Sequence, residues 1–315
     1  MTEHRGLLGV LVLLGAAWGA TQPMTKIAVS EGYRHFGLIF WQFVVGALVL
    51  GAILALRGKT LPLGKKQLRL YLIIAMIGTL LPNAASYEAA RHLPAGVLSI
   101  IMSTVPMFVF PIALVMRTDR FDWKRLLGLF VGLIGVSLLI VPDASLPDRA
   151  MAAFIPLAMV APIFYGLEGN IVAKWGTYGC SGIQVLLGAS LVGIVLTAPL
   201  AVVSGTWIPP HTDLNLPDLA LIVSSAIHAL AYAGYVWLVG RSGSVFAAQV
   251  SYLVTAFGIF WAMVLLSETY SSWIWLALGV IFTGLFMVQP RPATALAGST
   301  PLPHDAGPEP EHGSP

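Results

Sequence analysis

Ten apolar stretches, each long enough to cross a lipid bilayer, run from Gly6 to Val288 with short polar links between them. A helix needs about 20 apolar residues to span the hydrocarbon core. The stretches fall at residues 6–29, 36–56, 69–90, 94–116, 123–141, 151–173, 180–203, 218–239, 244–267 and 270–288. No charged residue stands between Leu93 and Met116, or between Ser242 and Ser267. Only 10% of the chain is charged and 57% is hydrophobic, against roughly 25% charge in ordinary soluble domains. Such a chain has too little polar surface to face water on all sides, whereas lipid accommodates it. Nothing alternates with period two, so a porin-like barrel is excluded. The expected fold is an all-α membrane protein of ten transmembrane helices.

Arg5 before the first stretch has the look of a signal peptide's basic region, but no small-residue cleavage site follows, and the stretch reads as a retained helix. Cys180 is the sole cysteine, so no intramolecular disulfide can form. With the N-terminus on the cytoplasmic side, thirteen of the 17 Lys and Arg residues fall on cytoplasmic segments, among them Arg57, Lys65, Lys66, Arg117, Lys124 and Arg241. Lys26, Arg34, Arg91 and Arg149 fall on the other. This positive-inside bias places both termini in the cytoplasm of a plasma membrane protein. The net charge of +3 concerns topology and anionic lipid, not nucleic acid. Residues 290–315, rich in Pro, Ala and Gly without an apolar period, read as a disordered cytoplasmic tail.

The second five stretches echo the first five. A shift of about 149 residues lays Gly135 on Gly284, Asp119 on Glu268 and Val105 on Val254, with Trp18-Gly19 near Tyr165-Gly166. Because five is odd, the second unit must enter the membrane from the opposite side. Inverted repeats of this kind put a substrate site at their interface near the midplane. The units are expected at residues 6–141 and 151–289.

Trp18-Gly19-Ala20-Thr21-Gln22-Pro23-Met24-Thr25-Lys26, the run Ser99–Pro106, and Gly128, Gly132 and Gly135 together resemble the EamA-type family of the drug/metabolite transporter superfamily. The resemblance covers residues 6–290. It implies a ten-helix carrier that moves small organic metabolites, often outward, through a central cavity made by both halves. The chain departs from the family pattern in places. Thr118-Asp119 and Ser267-Glu268 stand where a Gly-Glu pair is common, and Gln42 stands where arginine is common.

Polar residues within the spans must carry selectivity. A charge at the bilayer centre costs about 2.5–3.5 kcal/mol on insertion scales, so Glu168 requires a partner, a water-filled cavity or a proton. It reads as a cavity carboxylate linked to protons or cations, or as a structural acid within reach of Lys174. Tyr165 shares its face. His228, Tyr232 and Tyr235 are spaced four and three apart and lie on one helical face; they read as an aromatic wall with one titratable imidazole or as helix packing. Asn83, Ser86 and Tyr87 repeat that design in the third span. Ser99, Ser103, Pro106 and Phe110 share a face of the fourth, and Gln249 and Tyr252 one of the ninth. The cavity candidates are therefore Trp18, Gln22, Gln42, Asn83, Tyr87, Ser103, Tyr165, Glu168, His228, Tyr232, Tyr235, Gln249 and Tyr252, with Glu168 and His228 as coupling residues. Glu88 and Arg91 read as an interfacial ion pair. Gly15/Gly19 and Gly128/Gly132 are GxxxG pairs for close helix contact, within or between chains.

Rival functions lack their chemistry. Gly58-Lys59-Thr60 has Ile53 where a phosphate loop needs glycine. Gly240-Arg241-Ser242-Gly243 matches the GxSG string of a membrane serine hydrolase, but no histidine in a later span would activate the serine. A membrane enzyme and a non-transporting scaffold remain the alternatives. The expected function is secondary-active export or exchange of a small metabolite, such as an amino acid or an aromatic or amphipathic compound. Its partners would be that substrate, membrane lipid, protons as coupling ion and a second copy of the chain, with no cofactor or metal. Few cations in the spans argue against a strongly anionic substrate.

The charge asymmetry makes a direct prediction. With Cys180 replaced, Lys65→Cys and Lys124→Cys should be shielded from an impermeant thiol reagent in intact cells, and Asp213→Cys should label. Labelling of the first two and not the third would reverse the orientation.

Overall fold

The computed structural model describes residues 2–140, 146–210, 213–242 and 250–288, which are helical with no strand among them. Gln249, Gly243 of the GxSG string and the expected tail lie outside the described residues. Helix is the expected outcome in lipid, where every backbone N–H and C=O must find a partner within its own segment. The chain runs through α1 (Thr2–Ala28), α2 (His35–Leu56), α3 (Lys65–Ile73), a π-helical stretch (Ile74–Leu80), α4 (Leu81–His92), α5 (Ala95–Met102), α6 (Val105–Val115) and α7 (Trp123–Ile140). After a 3₁₀ turn (Arg149–Phe154) come α8 (Ile155–Ala158), α9 (Val160–Trp175), α10 (Gly182–Val203), α11 (Leu216–Ser242), α12 (Val250–Leu266) and α13 (Ser272–Val288). Seven stretches are long and apolar enough to cross a membrane: Gly6–Ala28, His35–Leu56, Lys65–His92, Ala95–Val115, Arg149–Trp175, Gly182–Val203 and Leu216–Tyr235. Val250–Leu266 and Ser272–Met287 are shorter apolar helices.

Three spans expected as single helices are interrupted. The third changes to a π-helical stretch before Pro82, the fourth breaks at Ser103–Thr104 before Pro106, and the sixth is jointed at Met159, between Pro156 and Pro162. Proline offers no N–H to the carbonyl one turn earlier and its ring crowds that carbonyl, so the helix must bend or change register.

Close contacts depend on small residues. A Cβ on Gly19 of α1 would stand 2.8 Å from the Gly258 nitrogen and 2.9 Å from the Val254 oxygen, both on α12. On α13, a Cβ at Gly284 would stand 2.6 Å from the Gly132 nitrogen of α7. The two GxxxG faces are thus used within the chain, joining α1 to α12 and α7 to α13. Arg125, almost fully buried, pairs with Asp119 and lies over the Phe110 ring at 4.4 Å. Glu88 and Arg91 form the expected ion pair at 3.0 Å.

The turn between α4 and α5 is clamped from both sides. Lys26 Nζ donates to the carbonyls of Ala90 (2.7 Å) and Leu93 (2.9 Å), capping α4. Glu268 accepts from the amides of Ala95 (2.8 Å) and Gly96 (3.2 Å), where α5 leaves its first N–H groups unpaired. Tyr270 donates to Glu268 and accepts from the Gly96 amide at 3.1 Å.

Lys26→Met keeps the aliphatic stem and removes both charge-assisted bonds. It should lower the melting temperature of the detergent-solubilised protein, at a cost of about 1.5–3 kcal/mol. A melt matching the parent's would show that the turn holds without the lysine.

Candidate functional site

A cavity of about 440 Å³ opens where α1, α2, α4, α5, α6, α9, α11 and α12 converge. All three interruptions border it: Gly78 and Thr79 from the π-helical stretch, Met102, Val105 and Pro106 from the break in the fourth span, and Ala158 from the joint in the sixth. Irregular backbone at membrane depth is tolerated where it lines a cavity.

Ten of the thirteen expected residues line the cavity: Trp18, Gln22, Gln42, Asn83, Tyr87, Tyr165, Glu168, His228, Tyr232 and Tyr235. Ser103 does not; it is buried, and its hydroxyl donates to the Ile100 carbonyl of its own helix at 2.6 Å. Tyr252 packs edge-on against Phe282, with centroids 5.5 Å apart, and Gln249 is outside the described residues. The cavity also takes in small hydroxyl residues absent from that set: Thr21, Thr25, Thr79, Ser224, Ser225, Ser251 and Thr255. Ser224 and Ser225 turn their hydroxyls to Leu221 O, as serines in membrane helices commonly do, so sequence gives little hint of their place.

One wall is a hydrogen-bonded chain across three helices. Tyr165 on α9 donates to Asn83 Oδ1 (2.9 Å), Asn83 Nδ2 donates to Gln42 Oε1 on α2 (2.8 Å), and Tyr87 donates to the same oxygen (2.9 Å). Each buried polar group offsets another's desolvation. Gln42, where the family commonly has arginine, therefore serves as the acceptor on which two donors of α4 converge.

Elsewhere in the lining, Trp18 Nε1 donates to His228 Nδ1 at 3.0 Å. An indole N–H can only donate, so Nδ1 must be the unprotonated nitrogen and the imidazole proton sits on Nε2. Trp18 also stands edge-on to the rings of Tyr232 and Tyr235, with centroids at 6.4 and 6.2 Å. The stripe read from spacing is thus an aromatic wall anchored on α1.

Glu168 also lines the cavity. Its carboxyl group is set against Gly78, where a Cβ would come within 2.6 Å of Oε1. Glu168 has no hydrogen-bond or ion-pair partner among the described residues, and Lys174, the partner considered from sequence, donates to the Met116 carbonyl at 3.1 Å. Among the residues lining the cavity none is lysine or arginine.

Residues 5–141 and 153–289 each match the EamA-like transporter family. The chain is 26% identical over 294 residues to the "Uncharacterized inner membrane transporter YedA" of Escherichia coli, covering 90% of each. It is 23% identical over 267 residues to the "Probable terminal-alkyne amino-acid exporter" of Streptantibioticus cattleyicolor, covering 82% of this chain and 84% of that one. A crystal structure with 17% sequence identity superposes with a TM-score of 0.60, covering 92% of this chain and 96% of the other, which shows a shared fold. The chain is an integral membrane protein and belongs to the EamA-like transporter family.

Proposed function

We propose that this transporter is a ten-helix secondary carrier built from inverted five-helix repeats at residues 6–141 and 151–289, with both termini cytoplasmic. It exports or exchanges a small organic metabolite by alternating access around the central cavity, with Glu168 as its proton-exchanging group. The observation that carries this reading is a carboxylate without a partner among the described residues, in a cavity lined by both halves.

The helix contacts support the repeat. Under exchange of the halves, the α1–α12 contact corresponds to α9–α6, and α1–α11 to α9–α4. The α2–α11 contact likewise corresponds to that of α10 with α3 and the π-helical stretch, while α2–α10 and α7–α13 map onto themselves. Such reciprocity is what a pseudo-two-fold axis requires, and rocking one half against the other would expose the cavity to each side in turn. The amino-acid exporter among the relatives supports outward movement of a small solute.

Proton exchange needs a group that can be both charged and neutral within the transport cycle. The titratable groups around Glu168 are Tyr165 on its own helix, Tyr87 from α4, and Tyr232 and His228 from α11. Since His228 Nδ1 is occupied by the Trp18 donor, protonating that nitrogen would break the bond. We therefore assign proton coupling to Glu168 and give His228 the role of a neutral donor through Nε2.

The test is transport in proteoliposomes with a panel of labelled amino acids and amines. A gradient acidic on the outer face should accelerate efflux by the parent, because protons enter as solute leaves. Glu168→Gln keeps the shape and cannot ionise; in protein shown to be folded by its melting and gel-filtration profiles, it should lose the gradient response. Undiminished gradient-driven efflux in that variant would remove Glu168 from the coupling.

A further inference from the structure

We infer that the recognised part of the substrate is an ammonium group, held by Glu168, and that the transported compounds are aromatic or amphipathic amines in preference to carboxylic acids. This rests on the carrier reading above and deepens it by naming the chemical class.

Charge is the first argument. Among the described residues the cavity offers one carboxylate and neither lysine nor arginine. A solute carboxylate would meet no fixed counter-charge there, and it would be repelled by Glu168 at an effective dielectric well below that of water. A solute ammonium finds its counter-ion directly. Desolvating either charge is unfavourable and is offset only by the attraction of the other, so the pair discriminates as well as attracts.

Geometry is the second. Gly78 has no side chain, and the Glu168 carboxyl group occupies the space a Cβ there would fill, with Oε1 at 2.6 Å from that position. Tyr165 and Tyr232 line the cavity with Glu168, and an aromatic ring within about 6 Å of a bound ammonium adds cation–π attraction. Pro106, which has no N–H to donate, and Met102 one turn before it both line the cavity. In the Tyr165–Asn83–Gln42–Tyr87 chain both tyrosine hydroxyls and one Asn83 N–H donate within the chain.

His228 Nε2–H has no partner among the described residues, beside the aromatic edge formed by Trp18, Tyr232 and Tyr235. A ring carrying a neutral acceptor, such as a hydroxyl or carbonyl, would fit that end. The site thus reads an amine at Glu168 and an aromatic or amphipathic body along the α11 wall.

Three probes with one ring and different charge test this: phenethylamine, phenylalanine and 3-phenylpropionate. Their binding to the purified, detergent-solubilised full chain is read by calorimetry and by quenching of tryptophan fluorescence, since Trp18 lines the cavity. Phenethylamine should bind the parent at least about tenfold more tightly than 3-phenylpropionate, a difference of about 1.4 kcal/mol, with phenylalanine between them. Glu168→Gln should abolish the preference, and Glu168→Asp, which keeps the charge, should retain part of it. The ranking on the parent needs no variant, so misfolding of either variant leaves the test intact. Equal or tighter binding of phenylalanine or 3-phenylpropionate would overturn the amine reading, and so would no binding of any probe. Proteoliposome efflux of phenylalanine or 3-phenylpropionate would in either case leave the carrier function standing.

Discussion

Lipid offers no hydrogen bonds, and this one constraint orders the structure. Regular helix satisfies the backbone across each span, so any departure from helix must sit where other groups or water replace the missing partner. The three interruptions in the chain, at Ile74–Leu80, Ser103–Thr104 and Met159, come from three separate spans and all border one cavity. Prolines that would weaken a buried soluble helix here mark the places where backbone and solute can meet. The cavity is therefore written into the same residues that bend its walls.

Side chains obey the same rule. Around the cavity Tyr165, Asn83, Gln42 and Tyr87 satisfy one another in sequence, and Trp18 satisfies His228. Each bond links helices distant in the chain, so polar satisfaction and assembly of the cavity are one event. Glu168 alone among these side chains keeps its charge-bearing group unspent. In a structure that pairs its polar groups so consistently, an unspent carboxylate points to an exchangeable partner.

Close packing lets those bonds form. Glycines bring α1 onto α12 and α7 onto α13 at distances a Cβ would forbid. The Lys26–Glu268 clamp fixes the turn that joins α4, which carries Asn83 and Tyr87, to α5, whose last residues border the cavity. Aspartate stands at the pseudo-equivalent position, where Asp119 pairs with Arg125. Both halves that match the family thus carry an acid here, with different partners.

The sequence by itself determined the membrane environment, the helical class, the family resemblance and the faces that carry polar residues. These follow from span length, charge scarcity and helical periodicity, all of which are local. Ten of the thirteen candidates border the cavity because a polar side chain in an apolar span has few places to go. Periodicity gives a face but no partner, and that is where the reading stopped. Ser103 shares a face with Pro106, yet its hydroxyl returns to its own helix, while Ser224 and Ser225 do the same and still border the cavity. Only the tertiary structure decided that Trp18 holds His228 across 210 residues of chain and that Gln42 joins two donors from α4. Those pairings depend on how helices far apart in sequence pack, and no local pattern records which faces will meet.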